Sequence, residues 1–228
     1  MFKKEDIVKL DSIILSDNVV DEFYHNYNNN SQFKTWIDTN ISDIKRCQEQ
    51  KQNNPWHKYN VLGHILHSIK EMNKLTKNMN ENERRILAYT MLFHDIGKPD
   101  THVVREKNGV KIDSFFNHNK QSVKIANTLL SDLNFNEKEK NIILSLIYKH
   151  DIFMFITIDK TTNPYHKQLT KEVIDEEIND LNKVGDGHQL LNWLLLVGRA
   201  DNYAQNEKMT QKSLLLLDKF YSMLNNQR

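Results

Sequence analysis

Residues that interrupt helices are scarce in this sequence. Only six glycines and three prolines occur among 228 residues, and Leu, Ile, Lys, Glu and Asn are abundant. Glycine and proline are the residues least compatible with helix interiors, so their scarcity favours helices joined by short loops. The length suits one domain, or one domain with an appendage.

Cysteine is also nearly absent. Cys47 stands alone, which excludes an internal disulfide and a zinc site built from thiolates. No stretch approaches the roughly eighteen apolar residues of a membrane span. The opening residues, "MFKKED", lack the apolar core of a signal peptide. We therefore expect a cytoplasmic protein that has no contact with membranes.

An excess of charge of one sign is missing as well. The chain has 31 basic and 30 acidic residues, for a formal net charge of +1. This balance gives no overall field for wrapping a long nucleic acid, although it allows a local basic patch. Hydrophobic residues make up 39% of the chain, which is enough for a substantial core.

Apolar residues recur at helical spacing along most of the chain. Residues 1 to about 50 are predicted to be helical, with Ser31 as a helix cap. Further helices are predicted over about 59–78, 82–96, 120–132, 137–150, 170–181, 188–205 and 210–224. Asn53, Asn54 and Pro55 interrupt this pattern. We predict a helical extension over residues 1–52, packed on a domain over 53–228.

One segment has the pattern of strands. Asn108 and Gly109 lie between short apolar runs, and Asn-Gly is the strongest local signal for a hairpin. The predicted fold is therefore all-α, a helical bundle with a small β-hairpin near 102–114. The stretch 153–187 has the least clear pattern and an open role: it starts apolar, shows no clear period, and becomes an acidic helix only over about 170–181.

Asp201 occupies an unusual position on its predicted helix. Leu190, Leu194 and Val197 form an apolar stripe, and Asp201 follows on the same face. Burying a carboxylate is unfavourable unless a cation compensates its charge. Two interpretations stay open: a metal ion, or a buried salt bridge to Arg199.

His94 and Asp95 end the most apolar predicted helix. Asp95 there faces the negative end of the helix dipole, which a bound divalent ion would offset. The alternative is a capping His94 beside a solvated Asp95. On the preceding helix His64 lies at the shoulder of the buried stripe. His67 lies nearly opposite the stripe, where we expect exposure and no function.

His118 and His150 lie at predicted helix ends, where packed or capping histidines are common. Asp151 has the position of a surface acid. His57 is likewise compatible with a surface residue.

Several ordered strings together resemble the HD superfamily of metal-dependent phosphohydrolases. They are "NNPWHKYNVLGHILHSI", "LAYTMLFHDIGKPDT", "GVKIDSFFNHNKQSVKIANTLL", "IYKHD" and "GRADNYAQ". The family's defining order is His, then His-Asp, then a distant Asp. The pattern looks most similar to the HD domain of bacterial tRNA nucleotidyltransferases and covers roughly residues 53–205. The nucleotidyltransferase catalytic domain itself is missing from this sequence.

The resemblance implies a metal site and roles for particular residues. The implied ligands of one metal are His64, His94, Asp95 and Asp201. His118 and His150 correspond to residues that bind a second metal or the substrate phosphate, and Asp95 would bridge two ions. Asp95 and Lys98 are the predicted catalytic residues. Lys98 is either near a phosphate oxygen or a surface lysine, and Arg199 is expected to orient Asp201 or another carboxylate.

The implied activity is hydrolysis of a nucleotide or a related phosphomonoester or phosphodiester, including 2′,3′-cyclic phosphates, by metal-activated water. The ligand types suit one or two ions of Mn, Fe, Ni, Co or Mg. Small phosphorylated compounds, nucleotides above all, are the expected partners, and an RNA 3′ end is a further candidate; the oligomeric state is open. The alternatives are a catalytically silent nucleotide-binding regulatory module and a helical interaction protein.

Overall fold

Helices form most of the computed structural model, which describes residues 2–226. They are α1 Lys4–Ile14, α2 Val19–Asn29, α3 Ser31–Asn40, α4 Asp43–Glu49, α5 Val61–Leu75, α6 Glu81–Phe93, α7 Lys98–Thr101, α8 His118–Leu129, α9 Glu137–Lys149, α10 Lys171–Leu181, α11 Gly187–Tyr203 and α12 Glu207–Asn225. The prediction of an all-α bundle with one small hairpin is confirmed. Within the described range, no helix combines the length and the apolarity needed to cross a bilayer.

Asparagine and aspartate side chains fix where most of the long helices begin. Asn60, Asn80, Asn136 and Asp186 each accept the backbone N–H of the third residue that follows, at the starts of α5, α6, α9 and α11. The predicted cap of α3 at Ser31 is wrong by one residue. Asn30 caps this helix, and Ser31 is its first helical residue.

Helix α5 lies at the centre of the core. It packs against α6 and α11, and also against α2 and α4 from the N-terminal part of the chain. Its apolar stripe is fully buried, from Leu62 to Met72. Residues 2–52 and the rest of the chain thus share one hydrophobic cluster. The predicted division at residue 52/53 stays a prediction.

The third predicted helix ends earlier than expected. α6 stops at Phe93 rather than near Ile96, and a tight turn leads to α7 with Pro99 in its first turn. Gly97 is required in this turn, because a Cβ there would lie 2.5 Å from Ser122 N and 2.7 Å from His118 O. The close approach of the turn to α8 therefore depends on glycine.

The predicted hairpin is confirmed. Strand β1, His102–Lys107, pairs antiparallel with β2, Val110–Phe115, and both turn residues have positive φ (53° at Asn108 and 75° at Gly109). At the base of the hairpin, the buried Asp113 carboxylate accepts the Asn53 N–H at 2.7 Å and contacts His102 Nε2 at 2.8 Å. These contacts attach the hairpin to the segment before α5.

The segment without a clear period contains short elements. A 3₁₀ turn over Ile152–Phe155 leads into β3, Ile156–Thr157, which pairs in parallel with β4, Lys167–Gln168. The acidic helix predicted after it is present as α10. Two-residue strands are too short to produce a sequence period, so this part of the fold could not be predicted.

Candidate metal centre

Three distant elements bring His64, His94 and Asp201 together. His64 lies on α5, His94 follows α6, and Asp201 is in the last turn of α11. His64 Nε2 is 2.8 Å from Asp201 Oδ1 and 3.4 Å from His94 Nε2. One donor atom from each residue lies within 4.8 Å of the others. We call these residues the first triad.

Asp95, His118 and His150 form a second triad with the same compactness. His118 Nε2 lies 3.1 Å from Asp95 Oδ1, and His150 Nε2 lies 3.8 Å from it. The two Nε2 atoms are 3.0 Å apart. His118 begins α8 as expected, and His150 follows the last residue of α9.

Asp95 belongs to both triads. Its Oδ1 faces the second triad, while its Oδ2 lies 3.2 Å from His64 Nε2 and 3.4 Å from His94 Nε2. Only 2% of this residue is exposed. The structure thus brings all six predicted ligand residues to one point, with one buried carboxylate between the two groups of imidazoles.

Main-chain carbonyls set the direction of three of the imidazole rings. His94 Nδ1 lies 2.7 Å from Met91 O, His118 Nδ1 2.8 Å from Phe115 O, and His150 Nδ1 2.6 Å from Ile147 O. A carbonyl only accepts, so each Nδ1 carries a proton, and a ring in its neutral form presents an Nε2 lone pair to the centre. This is the arrangement that orients metal-ligating histidines.

These contacts fit a bound divalent cation. With both Nδ1 atoms protonated, neutral His118 and His150 would face each other with two lone pairs at 3.0 Å, an arrangement that needs a cation or a proton between them. Asp95 Oδ2 is buried and, within residues 2–226, receives no hydrogen bond; His64 Nδ1 is also buried without a partner there. A nitrogen and oxygen donor set without sulfur suits Mn, Fe, Co, Ni or Mg.

The centre carries buried negative charge. Burial opposes ionisation of Asp95 and Asp201, but the neighbouring imidazoles, with Lys98 beside Asp95, outweigh it and hold both pKa values well below the usual range. Burial likewise opposes the charged form of His64, but Asp201 and Asp95 raise its pKa to about 9. Both carboxylates therefore attract cations, whether protons or metal ions.

In the second triad, the pKa values of the two histidines are shifted in opposite directions. Burial lowers the pKa of His150, and the charges of neighbouring imidazoles add to this effect. For His118 the carboxylates of Asp151 and Asp95 outweigh burial and raise the pKa. Asp151 is therefore a site neighbour and not the surface acid that the sequence indicated. Its carboxylate oxygens lie 3.3 Å from His118 Nε2 and 3.4 Å from His150 Nε2.

Lys98 is buried at 5% exposure, which excludes the interpretation as a surface lysine. Its Nζ lies 2.6 Å from Asp95 Oδ2, a close ion pair without hydrogen-bond geometry, and donates to Gln52 Oε1 at 2.9 Å. Nζ is also 3.2 Å from His57 Nε2. Burial and the charges of Lys98 and His64 lower the pKa of His57 to about 2.

His57 and Gln52 are site residues that the sequence did not reveal. The expectation of a surface His57 is wrong, since its ring packs edge-on against the His64 ring at 5.2 Å. Both residues lie in the irregular segment before α5, where no period relates a side chain to the core. No signal in the local sequence could have placed them.

Two further expectations need correction. The prediction of a salt bridge between Arg199 and Asp201 is wrong, since Asp201 Oδ2 accepts from Gln205 at 3.1 Å. The expected contact of Arg199 with another carboxylate is present, because its guanidinium binds Asp218 at 2.7 Å. The expected exposure of His67 is reduced to partial burial, because its ring stacks on Tyr59 at 4.1 Å between centroids.

The model of the HD domain family matches residues 61–204. The chain belongs to the HD domain family. HD domains are generally metal-dependent phosphohydrolases that bind divalent metals, and some members are inactive. No curated protein matches the chain. The closer resemblance to the HD domain of tRNA nucleotidyltransferases stays a prediction.

Proposed function

We propose that this HD protein is a metal-dependent phosphohydrolase acting on a nucleotide or a related phosphomonoester or phosphodiester, including 2′,3′-cyclic phosphates. The observation that carries the proposal is the convergence of six imidazole and carboxylate side chains in two triads that share Asp95. The triads present imidazole nitrogens and carboxylate oxygens, which are ligands for divalent cations.

His64, His94, Asp95 and Asp201 are the proposed ligands of one ion. His118 and His150 are the proposed ligands of a second ion or contacts of the substrate phosphate, with Asp95 bridging in the first case. When bound, the metal would supply an activated water near neutral pH and neutralise charge on the phosphoryl oxygens.

The protein's own residues orient the reacting groups in this proposal. The carbonyls of Met91, Phe115 and Ile147 hold three rings with their Nε2 atoms inward. Burial of Asp95 and the imidazoles excludes bulk water and strengthens their electrostatic effects. The contact between Lys98 and a phosphoryl oxygen stays a prediction.

Exposed aromatic residues close to the site in sequence support a nucleotide as the substrate. Trp56 precedes His57, Phe116 lies two residues before His118, and Tyr203 lies two residues after Asp201. Their exposed fractions are 41%, 55% and 43%. Large exposed aromatic rings near a phosphate site suit stacking with a nucleobase. An RNA 3′ end with a terminal phosphate has the same chemistry and is a further candidate.

The test combines metal analysis with a substrate panel. Purified protein supplied with Mn²⁺ or Ni²⁺ is assayed on an aryl phosphate, a bis-aryl phosphodiester, nucleoside monophosphates and 2′,3′-cyclic nucleotides. The double variant His94→Ala, Asp95→Ala should lose both the bound metal and at least about a hundredfold of the turnover. His67→Ala, a histidine outside the triads, is the matched control.

Turnover that survives the double change would contradict the proposal. Nucleotide binding without turnover, with little metal by elemental analysis, would instead identify the chain as a catalytically silent regulatory module.

A further inference from the structure

We propose that Gln52 and His57 are positioning residues that hold the Lys98 ammonium against Asp95, so that Lys98 acts on this carboxylate rather than on the substrate phosphate. Both residues lie outside the part of the chain that the HD family model matches, which begins at Val61. The inference rests on the proposed function, because it assigns a role to Asp95 in that same site.

The number of donors on Lys98 is the first argument. A lysine ammonium has three N–H groups and no acceptor. Three acceptor atoms surround Nζ: Asp95 Oδ2 at 2.6 Å, Gln52 Oε1 at 2.9 Å and His57 Nε2 at 3.2 Å. Gln52 and His57 each engage one of these N–H groups, and the Asp95 oxygen lies against Nζ as an ion-pair partner without hydrogen-bond geometry, so a phosphoryl oxygen that approached Nζ would have to displace one of the three. With all three in place, Lys98 is held as a fixed charge beside Asp95 Oδ2.

The placement of protons around His57 is the second argument. Lys98 can only donate, so His57 Nε2 must accept and carries no proton. The proton of the neutral ring then lies on Nδ1, which is 2.8 Å from Asn54 Oδ1. The same Asn54 oxygen accepts the Trp56 N–H at 3.1 Å, as an amide oxygen with two lone pairs can. The His57 ring thus has an acceptor for its Nδ1 proton and a donor for its Nε2 lone pair.

The backbone around these residues is fixed at several points, which is the third argument. Gln52 Nε2 donates to Tyr59 O at 3.2 Å, and Asp113 N donates to Asn53 O at 3.1 Å. On the other side, Asn206 donates to Trp56 O at 2.8 Å and to Pro55 O at 3.0 Å. The segment before α5 is thus held between the hairpin and the start of α12.

The alternative role for His57 is that of a metal ligand. One donor atom each of His57, His64 and Asp95 lie within 4.8 Å of one another, which is compatible with a cation. However, His57 Nε2 faces the Lys98 ammonium, and one lone pair cannot serve an N–H and a metal ion at once. His57 Nδ1 faces Asn54. The geometry therefore favours positioning over ligation.

The first experiment is NMR of the full ¹⁵N-labelled chain, which requires neither turnover nor metal. Long-range ¹H–¹⁵N correlations should show His57 as the neutral Nδ1–H tautomer, and Lys98 should give a slowly exchanging ammonium signal. Gln52→Leu and His57→Phe should each abolish the slowly exchanging Lys98 signal. His57→Gln keeps an acceptor near the Nε2 position and should retain this signal. His67→Phe is the matched control and should leave it unchanged.

Two NMR results would overturn the inference. One is an Nε2–H tautomer at His57. The other is a shift of the Lys98 ammonium signal during titration with inorganic phosphate, which would show that Lys98 contacts the phosphate.

The second experiment is a double-mutant cycle in steady-state kinetics. Lys98→Met should lower kcat by about 10–100-fold, the range for residues that orient a metal ligand, and should leave KM within about twofold. Gln52→Leu and His57→Phe should lower kcat alone but add nothing in the Lys98→Met background. Additive losses, or a loss that falls on KM, would contradict positioning.

The two proposals fail in distinguishable ways. If no phosphoester is turned over by the unaltered protein but His57 and Lys98 give the expected NMR signals, the enzymatic function fails and the positioning network stands. If turnover is normal and His57 is the Nε2–H tautomer, the positioning inference fails and the function stands.

Discussion

At the scale of single residues, the site depends most on Asp95, whose two oxygens face different triads. A buried carboxylate is tolerated only beside a compensating positive charge. For Asp95 this charge comes from Lys98 and from protons on the neighbouring imidazoles, and a bound metal ion would take the place of those protons. Removal of Asp95 therefore affects both triads at once. No other ligand residue has this position.

Gly97 is a residue beside the site at which the addition of a single methyl group should be damaging. In Gly97→Ala the new Cβ would meet backbone atoms of His118 and Ser122 at 2.7 and 2.5 Å. The backbone can shift only at a high energetic cost, so we expect a loss of about 1–3 kcal/mol in the free energy of unfolding. The proposed phosphoesterase activity should fall as well, because His118 is displaced. Denaturant titration and a phosphoester assay measure the two effects.

Gly109→Ala is the matched control for this change. A Cβ at Gly109 would meet open space, but the backbone there has a positive φ. Gly109→Ala should therefore lower the free energy of unfolding by about 1–2 kcal/mol and leave the proposed activity unchanged. Equal activity in the two glycine variants would contradict the account given for Gly97.

The residues of the site differed in how predictable they were. Asp201 could be predicted because α11 is regular, so that a period of 3.6 places a carboxylate on the buried face. His64 could be placed on the shoulder of its stripe for the same reason. Gln52 and His57 could not, because an irregular segment has no period. Asp151 is directed inward only through the turn after α9, which the sequence does not specify.

At the scale of elements, helix ends form the site. Helices α6 and α9 end just before His94 and His150, and α8 begins at His118. Their type and approximate starts could be predicted from periodicity, with the start of α8 expected two residues later than His118. The end of α6 could not, since the apolar pattern continues to Ile96 while the chain already turns after Phe93.

The attachment of the hairpin should depend on pH. The pKa of Asp113 lies below its usual range, because the contacts with His102 and the Asn53 N–H outweigh burial. A carboxylate with a lowered pKa stabilises the fold above its unfolded-state pKa of about 3.9 and loses this contribution as the pH falls through its folded-state pKa. Asp113→Asn should therefore reduce the free energy of unfolding by about 1–2 kcal/mol at pH 7.

Urea titrations at pH 7 and at several values below pH 4 measure this effect. The difference in the free energy of unfolding between Asp113→Asn and the unaltered protein should become smaller as the pH falls below about 4. The exposed Asp159→Asn is the control and should show no difference at either pH. A difference that stays constant down to the lowest pH would show that the charge of Asp113 is not the cause.

At the scale of the whole molecule, the N-terminal helices belong to the same core as the candidate metal centre. Phe23 on α2 is fully buried, and its ring lies 5.9 Å from those of Tyr27 and Phe33. Helix α2 in turn packs on α5, which carries His64. The N-terminal part of the chain thus supports the helix that presents a proposed ligand.

Phe23→Ala should destabilise the entire protein rather than release a peripheral unit. Loss of a buried phenylalanine typically costs about 3–5 kcal/mol. We expect a single unfolding transition, shifted to lower denaturant, when it is followed both by far-ultraviolet circular dichroism and by release of bound Mn²⁺. Val8→Ala, at a position that is 57% exposed on α1, is the control and should change the stability by less than about 0.5 kcal/mol. Two separate transitions would indicate that the N-terminal helices unfold independently.

Three of the imidazoles at the centre take their orientation from a carbonyl three residues earlier: Met91 for His94, Phe115 for His118 and Ile147 for His150. Any residue type can supply such a carbonyl. Substitutions at Met91, Phe115 or Ile147 leave the oxygen in place, whereas insertion or deletion of one residue within the interval moves it out of reach. The three-residue spacing between carbonyl and histidine, more than the identity of the residues within it, determines how the rings are oriented.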